Sequence, residues 1–90
     1  MNFAQLLEHL MLGYGVTFRL LWFHSKIEKQ TIKSYLTGKT HPKGHYLHAI
    51  ASAFFHFSGR SNNAHEFKMI KFMLQTAIKL DKLEAKKITD

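Results

Sequence analysis

The sequence predicts an all-α protein built from five helices. Apolar residues recur at three- and four-residue steps along most of the chain, no alternation typical of strands persists, and residues that favour turns divide the chain into five segments. Ninety residues is the length of a single domain, and a hydrophobic content of 46% with eight phenylalanines is ample for one core.

The first predicted helix runs from Asn2 to about Tyr14. Its apolar positions are Phe3, Leu6, Leu7, Leu10 and Met11. Asn2 suits the N-cap because its side chain can accept a hydrogen bond from a backbone N–H of the first turn. Gly13 and Gly15 can each end the helix, since glycine adopts the left-handed conformation at little cost.

The next two predicted helices are short and follow each other closely. One covers residues 17–25 with Thr17 as its N-cap, and the other covers residues 28–36. Gly38 can adopt the left-handed conformation that ends a helix, and Pro42 cannot continue one. Helices of this length are not stable alone, so we expect tertiary packing to hold them.

The last two predicted helices carry most of the apolar residues in the second half of the chain. The fourth covers about residues 45–55 and is apolar along Leu47, Ile50, Ala51 and Phe54, and the turn-rich "SGRSNN" follows it. The fifth covers about residues 64–86, and its broad apolar stripe includes Leu80. We expect the rest of that stripe to pack or to form a dimer or partner interface, through Phe67, Ile70, Met73, Leu74, Ala77 and Ile78.

Positive charge is concentrated in one third of the chain. The formal net charge is +7, and between Val16 and His45 six basic residues accompany a single acid, Glu28. The six are Arg19, Lys26, Lys29, Lys33, Lys39 and Lys43. Such a concentration indicates a polyanionic partner.

The second and third predicted helices have the size of a helix-turn-helix, in which the second helix lies in the DNA major groove. Ile27 lies between them, and Ile32, Tyr35 and Leu36 form an apolar face that would seat the second helix. The opposite face presents Lys29, Gln30, Thr31, Lys33 and Ser34. On spacing and charge alone, a solvated helix face explains this pattern equally well.

The residue types on that face suit base reading. Glutamine can bind adenine through two hydrogen bonds, lysine can reach the acceptors of guanine, and the methyl group of Thr31 can touch thymine. Lys39 and Lys43 follow in the loop, where contacts with phosphates position a protein on DNA without reading its sequence.

Four pieces of the sequence, in order, resemble the lambda-repressor-like (Xre-type) helix-turn-helix family over about residues 3–55. Phe3, Leu7 and Leu10 match the apolar positions of its first helix, and "GVT" is similar to its Gly-Leu-Thr turn. The recognition helix and following loop of the family are matched by Ile27, Thr31, Ile32, Tyr35, Gly38, Lys39 and Pro42. "LHAIASAF" is similar to its fourth helix.

This resemblance implies a domain organisation. Residues 1–57 would be a helix-turn-helix DNA-binding domain, with the motif itself at about 17–36. Residues 58–90 would be a long C-terminal helix that extends the same domain by packing or by dimerisation. Dimers with two-fold symmetry are how this motif usually reads palindromic sites.

The chain also departs from the family pattern. Phe18 stands where the family has a phosphate-binding glutamine, Trp22 replaces a small alanine, and Lys26 replaces a glycine. These changes imply a repacked helix pair, with phosphate contacts from Thr17, Arg19, Lys39, Thr40 and Lys43.

Apolar residues replace the charged exterior of the family at five positions: Leu6, Met11, Leu12, Leu20 and Phe23. An isolated domain exposing all of them would carry an unusually large hydrophobic patch. We therefore expect the C-terminal helix to cover them, either within one chain or in a dimer.

Other functions are less well supported. His41, His45 and His48 cluster at a spacing compatible with zinc, but without cysteines we expect ordinary histidines and no metal site. A further alternative is that His41 and His45 protonate near phosphate, so that DNA binding strengthens below about pH 6.5. The sequence offers no nucleophile, carboxylate pair or phosphate loop, so we expect neither an enzyme nor a cofactor.

The fifth helix is basic and amphipathic, a pattern that also suits membrane surfaces, but a core or interface stripe fits it better. No apolar run approaches the length of a bilayer span and no secretory signal is evident, so we expect a cytoplasmic protein with no membrane partner. The predicted function is a sequence-specific regulator that binds double-stranded DNA, acting as a homodimeric repressor. The alternative is the antitoxin of a toxin–antitoxin pair, which would bind a toxin protein and repress its own operon.

Overall fold

A computed structural model describes residues 1–59 and 64–89, with side chains through residue 86. The described residues form five helices and no strand, which confirms the all-α prediction. The helices are α1 (Phe3–Tyr14), α2 (Phe18–Ser25), α3 (Lys29–Leu36), α4 (Gly44–Phe57) and α5 (Ala64–Thr89). Most of the turn predicted over residues 58–63, namely residues 60–63, lies outside the described residues.

Local side-chain chemistry sets the ends of α1. The Asn2 side chain accepts a hydrogen bond from the Gln5 N–H at 2.8 Å, and the Gln5 side chain accepts one from the Asn2 N–H at 3.1 Å, which is a capping box. At the other end Gly15 adopts φ +68°, and the Val16 N–H donates to the Met11 carbonyl at 2.8 Å. Gly15 therefore ends the helix, and Gly13 lies within it.

A side-chain cap and a left-handed residue also set the ends of α2. The Thr17 hydroxyl accepts a hydrogen bond from the Leu20 N–H at 3.1 Å, as expected for an N-cap. Lys26 ends the helix at φ +62°, and its N–H donates to the Trp22 carbonyl at 3.0 Å. Lys26 therefore adopts a left-handed conformation that glycine accepts more readily.

The core is shared by all five helices. α2 and α5 pack on α4, and α1 packs on α3, α4 and α5. The largest fully buried side chains are Phe3, Leu7, Leu21, Ile32, Ile50, Phe54, Ile70 and Leu74. Because each helix contributes at least one of them, the short helices α2 and α3 are held by packing rather than by their own propensity.

The apolar stripe predicted on α5 faces the core of its own chain. Ile70, Leu74, Ala77 and Ile78 are buried, and Phe67 and Met73 are partly buried against the core. The structure thus assigns these six residues to packing within the chain rather than to a partner interface. The prediction is wrong for Leu80, which was expected in this stripe but is exposed together with Met69, Phe72 and Leu83.

The apolar residues of α1 and α2 are covered only in part. Leu6 and Met11 are partly buried against the core. Leu12 is 77% exposed, Phe23 is 73% exposed, and Leu20 is also exposed. Because α5 packs on α4 and α1, the expectation that it would cover all five residues within one chain is wrong for these three, and coverage in a dimer stays a prediction.

Two histidines that the sequence reading overlooked join the ends of α2 and α4. The rings of His24 and His56 stack at 4.5 Å with an interplanar angle of 21°, and Phe57 packs its ring against both. Burial lowers the pKa of His24, and the neighbouring His56 lowers it further. The stack is therefore favoured when His24 is neutral.

Replacing Lys26 with glycine should stabilise the fold. A non-glycine residue in the left-handed region costs about 1 kcal/mol, so Lys26→Gly is expected to raise the free energy of unfolding by about 0.5–1 kcal/mol in urea denaturation. The matched control is Gly15→Ala, which places a side chain in the same conformation at φ +68° and should lower it by about 1 kcal/mol. A Lys26→Gly chain less stable than the parent would contradict this account.

Candidate nucleic-acid interface

The third helix divides into a buried face and an exposed face. Ile32 and Tyr35 are buried in the core, and Leu36 is partly buried against it. Lys29, Gln30 and Lys33 are exposed, as the sequence pattern predicts. The eight-residue helix is thus seated by apolar contacts while two cations and one amide remain available to a ligand.

Ser34 and Thr31, the other two predicted base readers, lie half-buried. The Ser34 hydroxyl donates to the Thr31 carbonyl at 2.7 Å and lies 2.6 Å from the Thr40 hydroxyl. Because the Ser34 hydrogen is already donated, Ser34 could contact a base only by accepting a hydrogen bond through a remaining lone pair. Ser34 also shapes the end of α3, a role that the sequence pattern did not reveal.

The end of α3 is a tight, well-bonded turn. Gly38 adopts φ +81°, its N–H donates to the Tyr35 carbonyl at 3.3 Å, and the Lys39 N–H donates to the Ser34 carbonyl at 2.9 Å. This is the Schellman arrangement, in which glycine lets the chain turn back at the end of a helix. The turn places Lys39 and Thr40, both exposed, directly after α3.

The remaining residues predicted to contact DNA phosphates lie at the starts of α2 and α4. Thr17 is exposed, and because its oxygen accepts the Leu20 N–H, its own hydroxyl hydrogen can still be donated. Arg19 is exposed in the first turn of α2. Lys43 is exposed at the N-cap of α4.

A cation–π contact connects α2 with α3. The Nζ of Lys29 lies 4.6 Å from the centroid of the Trp22 ring. At an exposed site such a contact stabilises by about 0.5–1 kcal/mol, so it orients Lys29 without preventing its movement onto a ligand. Sequence reasoning noted Trp22 only as a departure from the family pattern, yet this bulky ring supports a predicted base reader.

A carboxylate on α5 holds the loop that follows α3. Oδ2 of Asp81 accepts the Phe3 N–H at 3.0 Å and lies 2.9 Å from Nε2 of His41. The His41 ring also meets the Phe3 ring edge-on at 5.7 Å. One side chain thus ties the start of α1 and the loop carrying Lys39 and Lys43 to the last helix.

Sequence reasoning missed Asp81, although a signal was present. Asp81 continues the buried positions Ile70, Leu74 and Ala77 at helical spacing, so it is an acid on the apolar face of α5. Such an acid needs a partner when it packs inward. The free N–H at the start of α1 is a suitable partner, since helix N-termini favour negative charge.

The three histidines that are close in sequence, His41, His45 and His48, contact different partners. His41 bonds to Asp81, whereas the rings of His45 and Tyr46 lie 4.4 Å apart and the His48 ring meets Phe67. Within residues 1–59 and 64–86 no group of three or more potential ligands could hold a metal ion.

In the described part of the chain no helix combines the length and apolarity needed to cross a membrane.

Removing the Asp81 carboxylate should loosen both contacts at once. Asp81→Ala is expected to lower the free energy of unfolding by about 1–2 kcal/mol, because the side chains of Asp81 and His41 are only 21% and 25% exposed. The exposed Glu8 of α1 is the matched control, and Glu8→Ala should change stability by less than about 0.5 kcal/mol. Equal effects of the two variants in urea denaturation would contradict the role given to Asp81.

Comparison with known proteins adds no relative to this description. No family model, curated protein or solved structure matches the chain. What the interface binds is therefore inferred from its own geometry and charge.

Proposed function

We propose that this protein is a sequence-specific DNA-binding regulator of transcription, acting as a dimeric repressor. The observation that carries the proposal is the exposed face of α3, where Lys29, Gln30 and Lys33 project from a helix whose other side is anchored in the core. The likeness of residues 3–55 to lambda-repressor-like proteins points to the same function.

The dimensions and chemistry of α3 support insertion into the major groove. An α-helix with its side chains is about 10–12 Å in diameter and the major groove is about 12 Å wide, so α3 can enter the groove. Lysine and glutamine side chains match the acceptors of guanine and the paired donor and acceptor of adenine. Lys29, Gln30 and Lys33 are therefore assigned to base edges, with Thr31 near a thymine methyl.

The cations around α3 would fix the register of the protein on DNA. Arg19 precedes α3 in the chain, whereas Lys39 and Lys43 follow it, and all three are exposed. Backbone contacts of this kind position a domain and supply much of its affinity, and they depend strongly on salt. The hydrogen-bonded turn at Gly38 and the Asp81 contact would reduce the entropy lost when the loop settles on the backbone.

A salt titration tests this proposal directly. Five or six neutralised phosphates per chain predict a log–log slope near −5 when one chain binds a duplex of random sequence, and near −10 when both chains of a dimer bind it. Trp22 is the only tryptophan and contacts Lys29, so its fluorescence should report binding alongside the anisotropy of labelled DNA. The combined variant Lys29→Ala, Gln30→Ala, Lys33→Ala should lose at least about tenfold in affinity.

The matched control removes the same side-chain types from α5. Lys68, Gln75 and Lys82 are exposed there, and their combined replacement by alanine removes the same charge. That variant should bind DNA within about threefold of the parent, since none of its three changes removes a residue assigned to a base or a phosphate, although Gln75 and Lys82 line the same groove as Lys43. A flat salt response, or equal losses in the two variants, would rule out α3 as the DNA-binding element.

A second candidate function is favoured by the apolar surface on α1 and α2. Leu12 and Phe23 are largely exposed, and Leu12 lines a groove of about 470 Å³ with Met11, Val16 and Leu36. Exposed apolar residues of this size are typical of protein interfaces. An antitoxin would use such a surface to hold a toxin while repressing its own operon through α3.

Co-expression with the product of the adjacent reading frame tests this candidate. An antitoxin should copurify with that product, and replacing Leu12 and Phe23 by serine should abolish copurification while DNA affinity stays within about twofold. The serine variant should also remain helical by circular dichroism, since both side chains are exposed. Copurification that survives both substitutions, or none with the parent chain, would exclude this surface as a toxin-binding site.

A further inference from the structure

A second apolar stripe lies on the outside of α5. It consists of Met69, Phe72, Leu80 and Leu83, and we call it the outer stripe. Phe72 is 68% exposed and Leu83 is 57% exposed, so the described chain leaves most of these two side chains uncovered. Leu80 and Leu83 border a groove that Met1 and Asn2 also line. From Met69 to Leu83 the stripe runs for about 21 Å along the helix.

The outer stripe is separate from the face of α5 that packs on the core. At about 100° per residue, its four side chains fall within an arc of about 80°, and the half-buried Thr76 lies at the centre of that arc. That arc is centred about 140° round the helix from the buried residues Ile70, Leu74, Ala77 and Ile78. α5 therefore has one apolar face for its own core and another that is available to a partner.

Charges of opposite sign flank the outer stripe. Lys79 lies about 60° to one side of its centre and Glu84 about 80° to the other, and both are exposed. They are five residues apart in the sequence. This is the spacing at which flanking charges pair between the two helices of a parallel coiled coil.

We propose that the outer stripe binds the outer stripe of a second copy of this chain, with the two α5 helices parallel. In a parallel pair related by two-fold symmetry, opposite flanks meet, so Lys79 of one copy lies near the partner's Glu84. Because of the two-fold symmetry, this contact between Lys79 and Glu84 forms twice in the dimer.

An antiparallel pair is disfavoured by the same charges. It would bring the flank carrying Lys68, Lys79 and Lys86 against its own equivalent, so that like charges would face each other. The charge pattern thus selects both the occupant of the stripe and the direction of its helix.

This inference deepens the proposed function by naming the surface through which the dimer forms. It rests on the proposed function only in what the dimer would do, namely bind DNA. A two-fold axis at α5 relates the two α3 helices, which would then read two halves of a palindromic site. The residues of this interface differ from the residues of α5 that are buried in its own core.

Sedimentation equilibrium over a concentration series tests the interface. The parent chain should approach twice its 10.5 kDa mass, and the pair Leu80→Glu, Leu83→Glu should weaken association by at least about a hundredfold. The matched control is Leu12→Glu, Phe23→Glu, which makes the same change on the other apolar surface and should leave the mass unchanged. Circular dichroism should show all three proteins equally helical.

Disulfide trapping tests the direction of the helices, because the chain contains no cysteine. A parallel pair places position 83 opposite position 83, so Leu83→Cys should cross-link with itself on oxidation. An antiparallel pair would instead cross-link Leu83→Cys with Met69→Cys. Gln75→Cys, which lies about 100° from the stripe centre, is the control for random collision and should form no disulfide cross-link.

Each outcome decides the inference. A monomer at all concentrations, a dimer disrupted only by the Leu12 and Phe23 changes, or a mixed 69–83 cross-link would overturn it. A monomer that still binds DNA with a steep salt slope would reject this interface and leave the proposed function intact. A parallel dimer without salt-dependent DNA binding would support the interface and reject the function.

Discussion

Burial of Ile32 and Tyr35 holds α3 in one orientation on the core. A helix of eight residues gains too few internal hydrogen bonds to persist in water, so its existence depends on those two contacts. Fully burying an aliphatic side chain stabilises by roughly 1.5–3 kcal/mol, which offsets part of the roughly 1–2 kcal/mol per residue that ordering the backbone costs. The same burial turns Lys29, Gln30 and Lys33 outward together, and the proposed reading of DNA depends on that common direction.

The elements around α3 restrict the loop that follows it. The Schellman turn at Gly38 fixes how the chain leaves the helix, and Asp81 fixes where the loop passes, through His41. Because Asp81 also accepts the Phe3 N–H, the loop, the first helix and the last helix share one carboxylate. The last helix therefore contributes to the candidate interface without touching the proposed ligand, a role that differs from both packing and dimerisation.

Much of the fold could be predicted from local chemistry. Asn2, Thr17 and Gly38 carry their capping preferences in the sequence, and the structure uses all three.

The rest of the fold depends on contacts between residues distant in sequence. Phe3 and Asp81 are 78 positions apart, and the His24–His56 stack joins two helices. Periodicity shows that α5 is apolar on more than one side, but only the packing of α1 and α4 decides which side is buried. The same limit explains why the contacts of Ser34 with Thr31 and Thr40 could not be predicted from its polar character.

The central claim, that the exposed face of α3 reads DNA sequence, is tested most directly by selecting bound sites from a pool of random duplexes. The parent protein should enrich a palindrome, whereas the chain lacking the Lys29, Gln30 and Lys33 side chains should enrich none. Enrichment of the same motif by both proteins would place sequence reading elsewhere on the molecule. Failure of the parent to enrich any motif would contradict sequence-specific binding altogether.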